Sequence, residues 1–279
     1  MKSITYILYN TIPGRCALKV LTLPFISKIC GSFCDSRASK VLIGPFVKKN
    51  AIDLSLFYSE NFRCFNDCFA RRIKPGKRPF DEDPRAFVSP CDGLLTVYEI
   101  KGDTVIPVKQ SRYSIPRLLH SRKLAKHYEG GYCLVFRLCV NHYHRYAYID
   151  NGVKGENHFI KGVLHTVQPV ALEKIPVFTE NCREYTVMKT ENFGTIVQME
   201  VGAMLVGKIK NFHGRHASRR GEEKGCFMYG GSTIILLVEK DRIVIDDNIL
   251  KASAKGIETP VVMGELVAGR DPRITAGTQ

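Results

Sequence analysis

The sequence predicts an α+β protein: a helical N-terminal region over residues 1–75, then a mostly antiparallel, sandwich-like β core over 76–279. Three observations carry this reading. In the first 75 residues apolar side chains recur at mixed three- and four-residue spacing, the period of a helix face. The run Lys74–Pro84 then holds three prolines and one glycine, which marks a turn-rich connector and the best boundary in the chain. Beyond it, short runs of β-branched and aromatic residues are separated by Gly, Asp, Asn or Lys. Helix-length segments are scarce among them, so the alternating βα units of a doubly wound fold are excluded.

Taken in order, Cys16–Phe33 is the most apolar early stretch, but Lys19, Pro24 and Lys28 interrupt it. A spanning helix needs about 20 nearly unbroken apolar residues. A basic start and a small-residue cleavage site are also missing, so no secretory signal is expected. Leu18, Val20, Leu21, Leu23, Phe25, Ile26 and Ile29 beside lysines suit a helix lying on a membrane surface and a core helix equally. Asn66–Asp67, inside Cys64–Arg71, open or interrupt a short helix. Strands are expected at Leu94–Ile100, Thr104–Val108, Tyr132–Leu138, Gly162–Val167, Thr195–Val201, Met204–Ile209, Thr233–Glu239 and Ile243–Ile245, with one helix at Ser114–Tyr128.

The 41 Lys and Arg against 27 Asp and Glu leave a net charge of +14, which favours a polyanionic partner: nucleic acid, an anionic membrane face or a phosphorylated substrate. No helix-turn-helix, RNP-like aromatic set or zinc finger is present, so nucleic acid is set aside. The ten cysteines fall partly in apolar runs (Cys133, Cys139, Cys226) and suit reduced thiols in a reducing cytoplasm. Cys30/Cys34 and Cys64/Cys68 have helical spacing, but no CxxC occurs, and no metal is expected.

Three islands carry candidate chemistry. Phe87-Val-Ser-Pro-Cys-Asp-Gly93 is a strand entry ending in a turn, where Asp92 is most simply a turn residue. Phe136-Arg-Leu-Cys-Val-Asn-His-Tyr-His-Arg-Tyr146 places His142 and His144 two apart beside Arg145; in a strand both imidazoles would share one face. Lys224–Val238 contains Gly230-Gly231-Ser232-Thr233 leading into a buried-looking strand, and glycines there can hold strained backbone at a reactive bond. A hairpin turn would look the same. The α/β-hydrolase elbow G-x-S-x-G is excluded because Ile234 stands two after Ser232.

Ser89-Pro-Cys-Asp-Gly93, Tyr143-His-Arg145, Val201-Gly-Ala203 with Val206-Gly207, and Gly230-Gly-Ser-Thr233 resemble, in order and spacing, the motifs of the phosphatidylserine decarboxylase family. Phe65-Asn-Asp-Cys-Phe69 with Arg71, Asn181-Cys-Arg183 and Gly256-Ile-Glu-Thr259 extend the resemblance over roughly residues 25–265. It implies a self-cleaving proenzyme cut between Gly231 and Ser232, Ser232 becoming a covalent pyruvoyl group that replaces pyridoxal phosphate as electron sink through a Schiff base with the substrate amine. It implies phosphatidylserine as substrate, phosphatidylethanolamine as product and a homodimer. With that substrate, the net charge, the basic loop Lys208–Lys224 and the apolar N-terminal segment make an anionic membrane the expected partner and a peripheral place on the cytoplasmic face of the cell membrane the expected location. Asp92 and a histidine would serve Ser232 in self-cleavage, and Arg145 and Arg215 are candidate headgroup contacts.

The chain departs from the family pattern twice: Ala147 stands where a second histidine is usual, and His142 where an aspartate is. Three outcomes stay open: His144 does both jobs, His142 replaces the missing imidazole, or self-cleavage is slow or absent. The alternative functions are a silent family member that binds anionic lipid and a pyruvoyl decarboxylase for another substrate. His165, on the expected strand Gly162–Val167, reads as a packed histidine.

Overall fold

The structure, a computed structural model, describes residues 4–58, 61–101, 105–108, 111–173, 175–203, 208–229 and 232–272. Its centre is an antiparallel sheet with strands in the order His216–Ser218, Gly152–Lys154, Arg183–Thr190, Thr195–Val201, Ser232–Val238, Tyr132–Leu138, Gly93–Glu99 and Thr259–Val261. His158–Ile160 adds a further pairing to Arg183–Thr190.

Side-chain alternation divides this sheet between two cores. Leu95, Leu134, Phe136, Ile234 and Leu236 point to one face, where Phe87, Ile243 and Val267 of one three-stranded sheet and Tyr146 and Phe227 of another meet them. That is the sandwich. Val135, Val197, Met199, Ile235 and Leu237 point to the other face and are covered by helices, through Tyr9, Leu18, Leu118, Leu172 and Phe178. The fold class is therefore α+β with a sandwich-like core, as the residue patterns require, and the helices form the third layer.

Two expectations need correction. Gly162–Val167 is not a strand; it is an irregular segment with one isolated bridge, Val163 to Asn181. The Asn181 side chain and the Thr22 carbonyl, rather than a neighbouring strand, bond the backbone of His165 and Leu164. Ser114–Tyr128 is two short helices, Ile115–Leu119 and Arg122–Lys126, because His120 takes a left-handed conformation (φ 51°) and the Ser121 side chain caps the second. Of Met204–Ile209, residues 204–207 lie outside the described residues, and Ile209 begins a strand to Asn211. The N-terminal helices are Ile4–Asn10, Ile12–Leu21, Pro24–Asp35 and Ile43–Lys49.

Candidate active site

Ser232 opens the strand Ser232–Val238, an aliphatic run buried along its whole length between two partners of equal length. It pairs with Leu138 and shares the face of Ile234 and Leu236. Its Oγ is buried and, among the described residues, has no hydrogen-bond partner. An orphaned buried hydroxyl costs about 1–3 kcal/mol, and the neighbouring Thr233 Oγ1 is in the same position. Gly230 and Gly231, and with them the expected scissile bond, lie outside the described residues.

Asp92 stands at the bend before the strand Gly93–Glu99 and is 7% exposed. Its carboxylate accepts from Arg78 Nε (2.9 Å) and Nη2 (2.6 Å) and from the Met263 backbone N–H (2.9 Å). Gly264 (φ 88°) lets this segment close on the Pro79 carbonyl, where a Cβ would collide, and so keeps Arg78 over the carboxylate. Arg137 pairs with Leu94 on one side and Thr233 on the other, so the strand Tyr132–Leu138 lies between Asp92 and Ser232. Two strand spacings, about 10 Å, separate their backbones. The carboxylate is too distant to touch the hydroxyl, and any relay runs through the turn that follows the middle strand.

That turn carries both histidines. It is not an extended strand, so His142 and His144 do not share a face by alternation. The Cys139 N–H donates to His142 Nδ1 at 3.1 Å, which leaves a neutral His142 protonated on Nε2. Burial pushes the His142 pKa below 6.5, and the nearby Asp92 charge acts against that shift. His144 is fully buried, and its Nδ1 lies 2.9 Å from the His142 carbonyl. A carbonyl only accepts, so neutral His144 is protonated on Nδ1 and presents Nε2 as the basic nitrogen. The two rings have opposite tautomers and therefore opposite abilities. The buried Arg71 holds the turn in place by donating to the carbonyls of Asn141 (3.0 Å) and His142 (3.1 Å).

The His144 ring lies against Phe69 (centroids 4.0 Å), and Phe69 packs on Tyr229, the last described residue before the glycine pair. Asn66 fixes Tyr229 by accepting its backbone N–H at 3.0 Å, and itself donates to Asp35 on the helix Pro24–Asp35. Between that helix and Tyr229 opens a cavity of about 460 Å³ lined by Ser27, Lys28, Phe159, Leu164, Lys208 and Met228, among others.

Arg145 is committed to the Ala70 carbonyl (2.8 Å) and Glu223 (2.8 Å) and lines a second cavity, of about 320 Å³, with Lys210 and Phe212. Arg215 is not brought to this region: it precedes the edge strand His216–Ser218, four places along the sheet from Ser232–Val238. His165 lies elsewhere, bonded to Tyr9 at 3.2 Å. Sequence reasoning missed Arg78 and Tyr229 altogether. The first sits in the proline-rich connector, where nothing in the pattern marks an arginine as buried.

A central strand thus opens on a buried serine, the turn that follows the neighbouring strand carries two histidines with Asp92 beyond it, and a cavity of about 460 Å³ adjoins Tyr229. The sequence model of the phosphatidylserine decarboxylase family matches residues 65–269. The chain is 44% identical over 261 residues to phosphatidylserine decarboxylase proenzyme 2 of Clostridium acetobutylicum, covering 93% of this chain and 89% of that one. It is 45% identical over 248 residues (87% and 84%) to a phosphatidylserine decarboxylase proenzyme of Clostridium botulinum, and 43% over 267 residues (93% and 89%) to one of Ruminiclostridium cellulolyticum. The chain belongs to the phosphatidylserine decarboxylase family.

Proposed function

We propose that this chain is a proenzyme that cuts itself between Gly231 and Ser232 and then decarboxylates phosphatidylserine to phosphatidylethanolamine. The observation that carries the reading is the Ser232 hydroxyl, buried and without a hydrogen-bond partner among the described residues at the head of a central strand, next to the strand whose following turn carries His144 and its basic Nε2. His144 Nε2 takes the hydroxyl proton, and Oγ attacks the carbonyl of Gly231, exchanging the amide for an ester. Elimination across Cα–Cβ of residue 232 then releases the carboxylate of residue 231 and leaves a dehydroalanine heading the smaller chain, whose imine tautomer takes up water and gives off ammonia. His142, protonated on Nε2 and within the field of Asp92, orients the turn rather than accepting the proton.

The residue set fits the pyruvoyl group, since Ser232, already enclosed by the core, supplies all three of its carbons and no further space need be made. When present, that group supplies a ketone for the substrate amine and a sink for the electrons left as carbon dioxide departs. Lys28 and Lys208, at the cavity beside Tyr229, offer charge for a phosphate, and Arg145 for a headgroup anion in the adjoining one.

We also propose a peripheral place on the cytoplasmic face of an anionic membrane, and the N-terminal helices support the membrane contact. Among the described residues no single helix is long and apolar enough to cross a bilayer; Ile12–Leu21 and Phe25–Asp35 qualify together but meet at 64°. Phe25, Ile29 and Phe33 recur every fourth residue on one helix and are all about half exposed or more, with Lys19 and Lys28 nearby. Such a face embeds at the headgroup boundary, and each basic residue there adds about 1 kcal/mol of attraction.

The test is incubation of the protein with vesicles of phosphatidylserine and phosphatidylcholine, with Ser232→Ala alongside. Release of carbon dioxide and phosphatidylethanolamine by the unaltered chain alone supports the proposal. Vesicle binding by both proteins, with no product from either, would replace it with a lipid-binding role.

A further inference from the structure

We infer that His213, His216 and Glu222 form a binding site for a divalent transition-metal ion of the zinc class, outside the Ser232 region and independent of the function proposed above. The three residues lie on the segment joining the strand Ile209–Asn211 to Glu223–Phe227, and their ligand atoms are all within 4.8 Å of one another. Glu222 Oε1 is 2.9 Å from His216 Nε2 and 3.7 Å from His213 Nε2. Ligands about 2.0–2.2 Å from a tetrahedral zinc stand about 3.3–3.5 Å apart, a spacing these two distances bracket.

Two of the three ligands are already anchored from behind. Tyr148 Oη lies 3.0 Å from His213 Nδ1, the contact that directs Nε2 inward in metal-bound histidines. The Glu222 Oε2 atom accepts from the Arg219 backbone N–H (3.1 Å), leaving Oε1 as a monodentate ligand. The Glu222 carbonyl accepts from Tyr148 N–H (2.9 Å), and the His213 carbonyl from Lys154 Nζ (3.1 Å), so both backbones are pinned. All three side chains are 27–31% exposed, which leaves an entry path and a fourth position for water.

Loading the ion requires two small changes. His216 moves its proton from Nε2 to Nδ1, with no net release, and gives up its hydrogen bond to Glu222. The two imidazoles, parallel within 7° at 3.9 Å, splay so that both nitrogens address one ion. The ion then ties the edge strand His216–Ser218 to the base of the strand that leads to Tyr229. Borderline imidazole and carboxylate donors favour zinc, cobalt, nickel or copper over magnesium or calcium.

The test uses the full chain, stripped with chelator and then given zinc chloride or cobalt chloride alone. Because ten free cysteines are rival ligands, the cobalt spectrum is the decisive readout. We expect one equivalent of zinc retained through gel filtration, and visible cobalt bands without the near-ultraviolet thiolate charge-transfer band. Glu222→Gln should weaken zinc binding at least about tenfold, and His213→Ala with His216→Ala should abolish it. A thiolate band, no retained zinc, or equal retention by a folded double-histidine variant would overturn the site. If that variant does not fold, the cobalt spectrum of the unaltered chain and the affinity of Glu222→Gln decide the matter.

Discussion

Replacing Lys224 with methionine should be among the most damaging single changes outside the reacting residues. Lys224 and Glu200 are both fully buried and paired at 2.7 Å, and the ammonium also reaches Asn211 Oδ1 at 2.8 Å. Glu200 faces Ile234, two residues along from Ser232, so this pair sits beneath the reacting strand. Burial pushes the Glu200 pKa up, and Lys224 is the main force pulling it back. Without the lysine, the carboxylate keeps only the longer Asn211 bond, at 3.2 Å. Breaking one side of a buried pair costs about 3–5 kcal/mol. At roughly 3 kcal/mol per molar urea, the unfolding midpoint should fall by about 1–2 M.

The assay is equilibrium unfolding in a Ser232→Ala background, because a cleaved two-chain protein does not unfold in one step. The sign of the pH dependence is a second signature. The raised Glu200 pKa means protonation relieves the buried charge, so the loss should be larger at pH 7.5 than at pH 5. Adding Glu200→Gln should recover most of it. A cost below about 1 kcal/mol, or one equal at both pH values, would refute the idea that this pair is desolvated.

Asp92→Asn leaves Arg78 without its carboxylate and removes the charge that His142 senses; a gel time course should show self-cleavage slowed by about 10²-fold or more, and an unchanged rate would remove Asp92 from the relay. His144→Ala should stop cleavage, whereas His142→Asn, whose Oδ1 can still accept the Cys139 N–H, should stay within about tenfold of normal; the reverse order would move the base to His142. Burial lowers the pKa of both His142 and His165 below 6.5, so the stability tied to their neutral rings is complete above that value and is lost as pH falls through the lowered folded values. Melting temperatures of Ser232→Ala should therefore drop below about pH 6.5, and less steeply in a His142→Asn/His165→Asn variant; identical slopes would count against this cause.

Much of the sheet was legible because its central strands are dense in β-branched residues. Tyr132–Leu138 and Thr195–Val201 fall where the pattern puts them. Arg183–Thr190 escaped notice because charged and polar residues interrupt it, and those on one face, such as Glu184 and Thr186, face a buried polar layer rather than solvent. Helix Asp247–Ala254 is short and announced mainly by its Asp246 cap. At the site, Asp92 and the two histidines were nameable from motifs, but their tautomers were not. Those depend on the Cys139 N–H and the His142 carbonyl, contacts that exist only once the turn has closed. Arg215 was a reasonable candidate on charge alone and lost its place through topology, since sheet order is not readable from a loop's composition.

Intact-mass spectrometry of the purified chain beside Ser232→Ala bears most directly on self-cleavage. The account predicts two fragments from the unaltered protein, ending at Gly231 and beginning with a pyruvoyl mass at position 232, and one full-length species from the variant. A single full-length mass from both, persisting after incubation with phosphatidylserine vesicles, would contradict it.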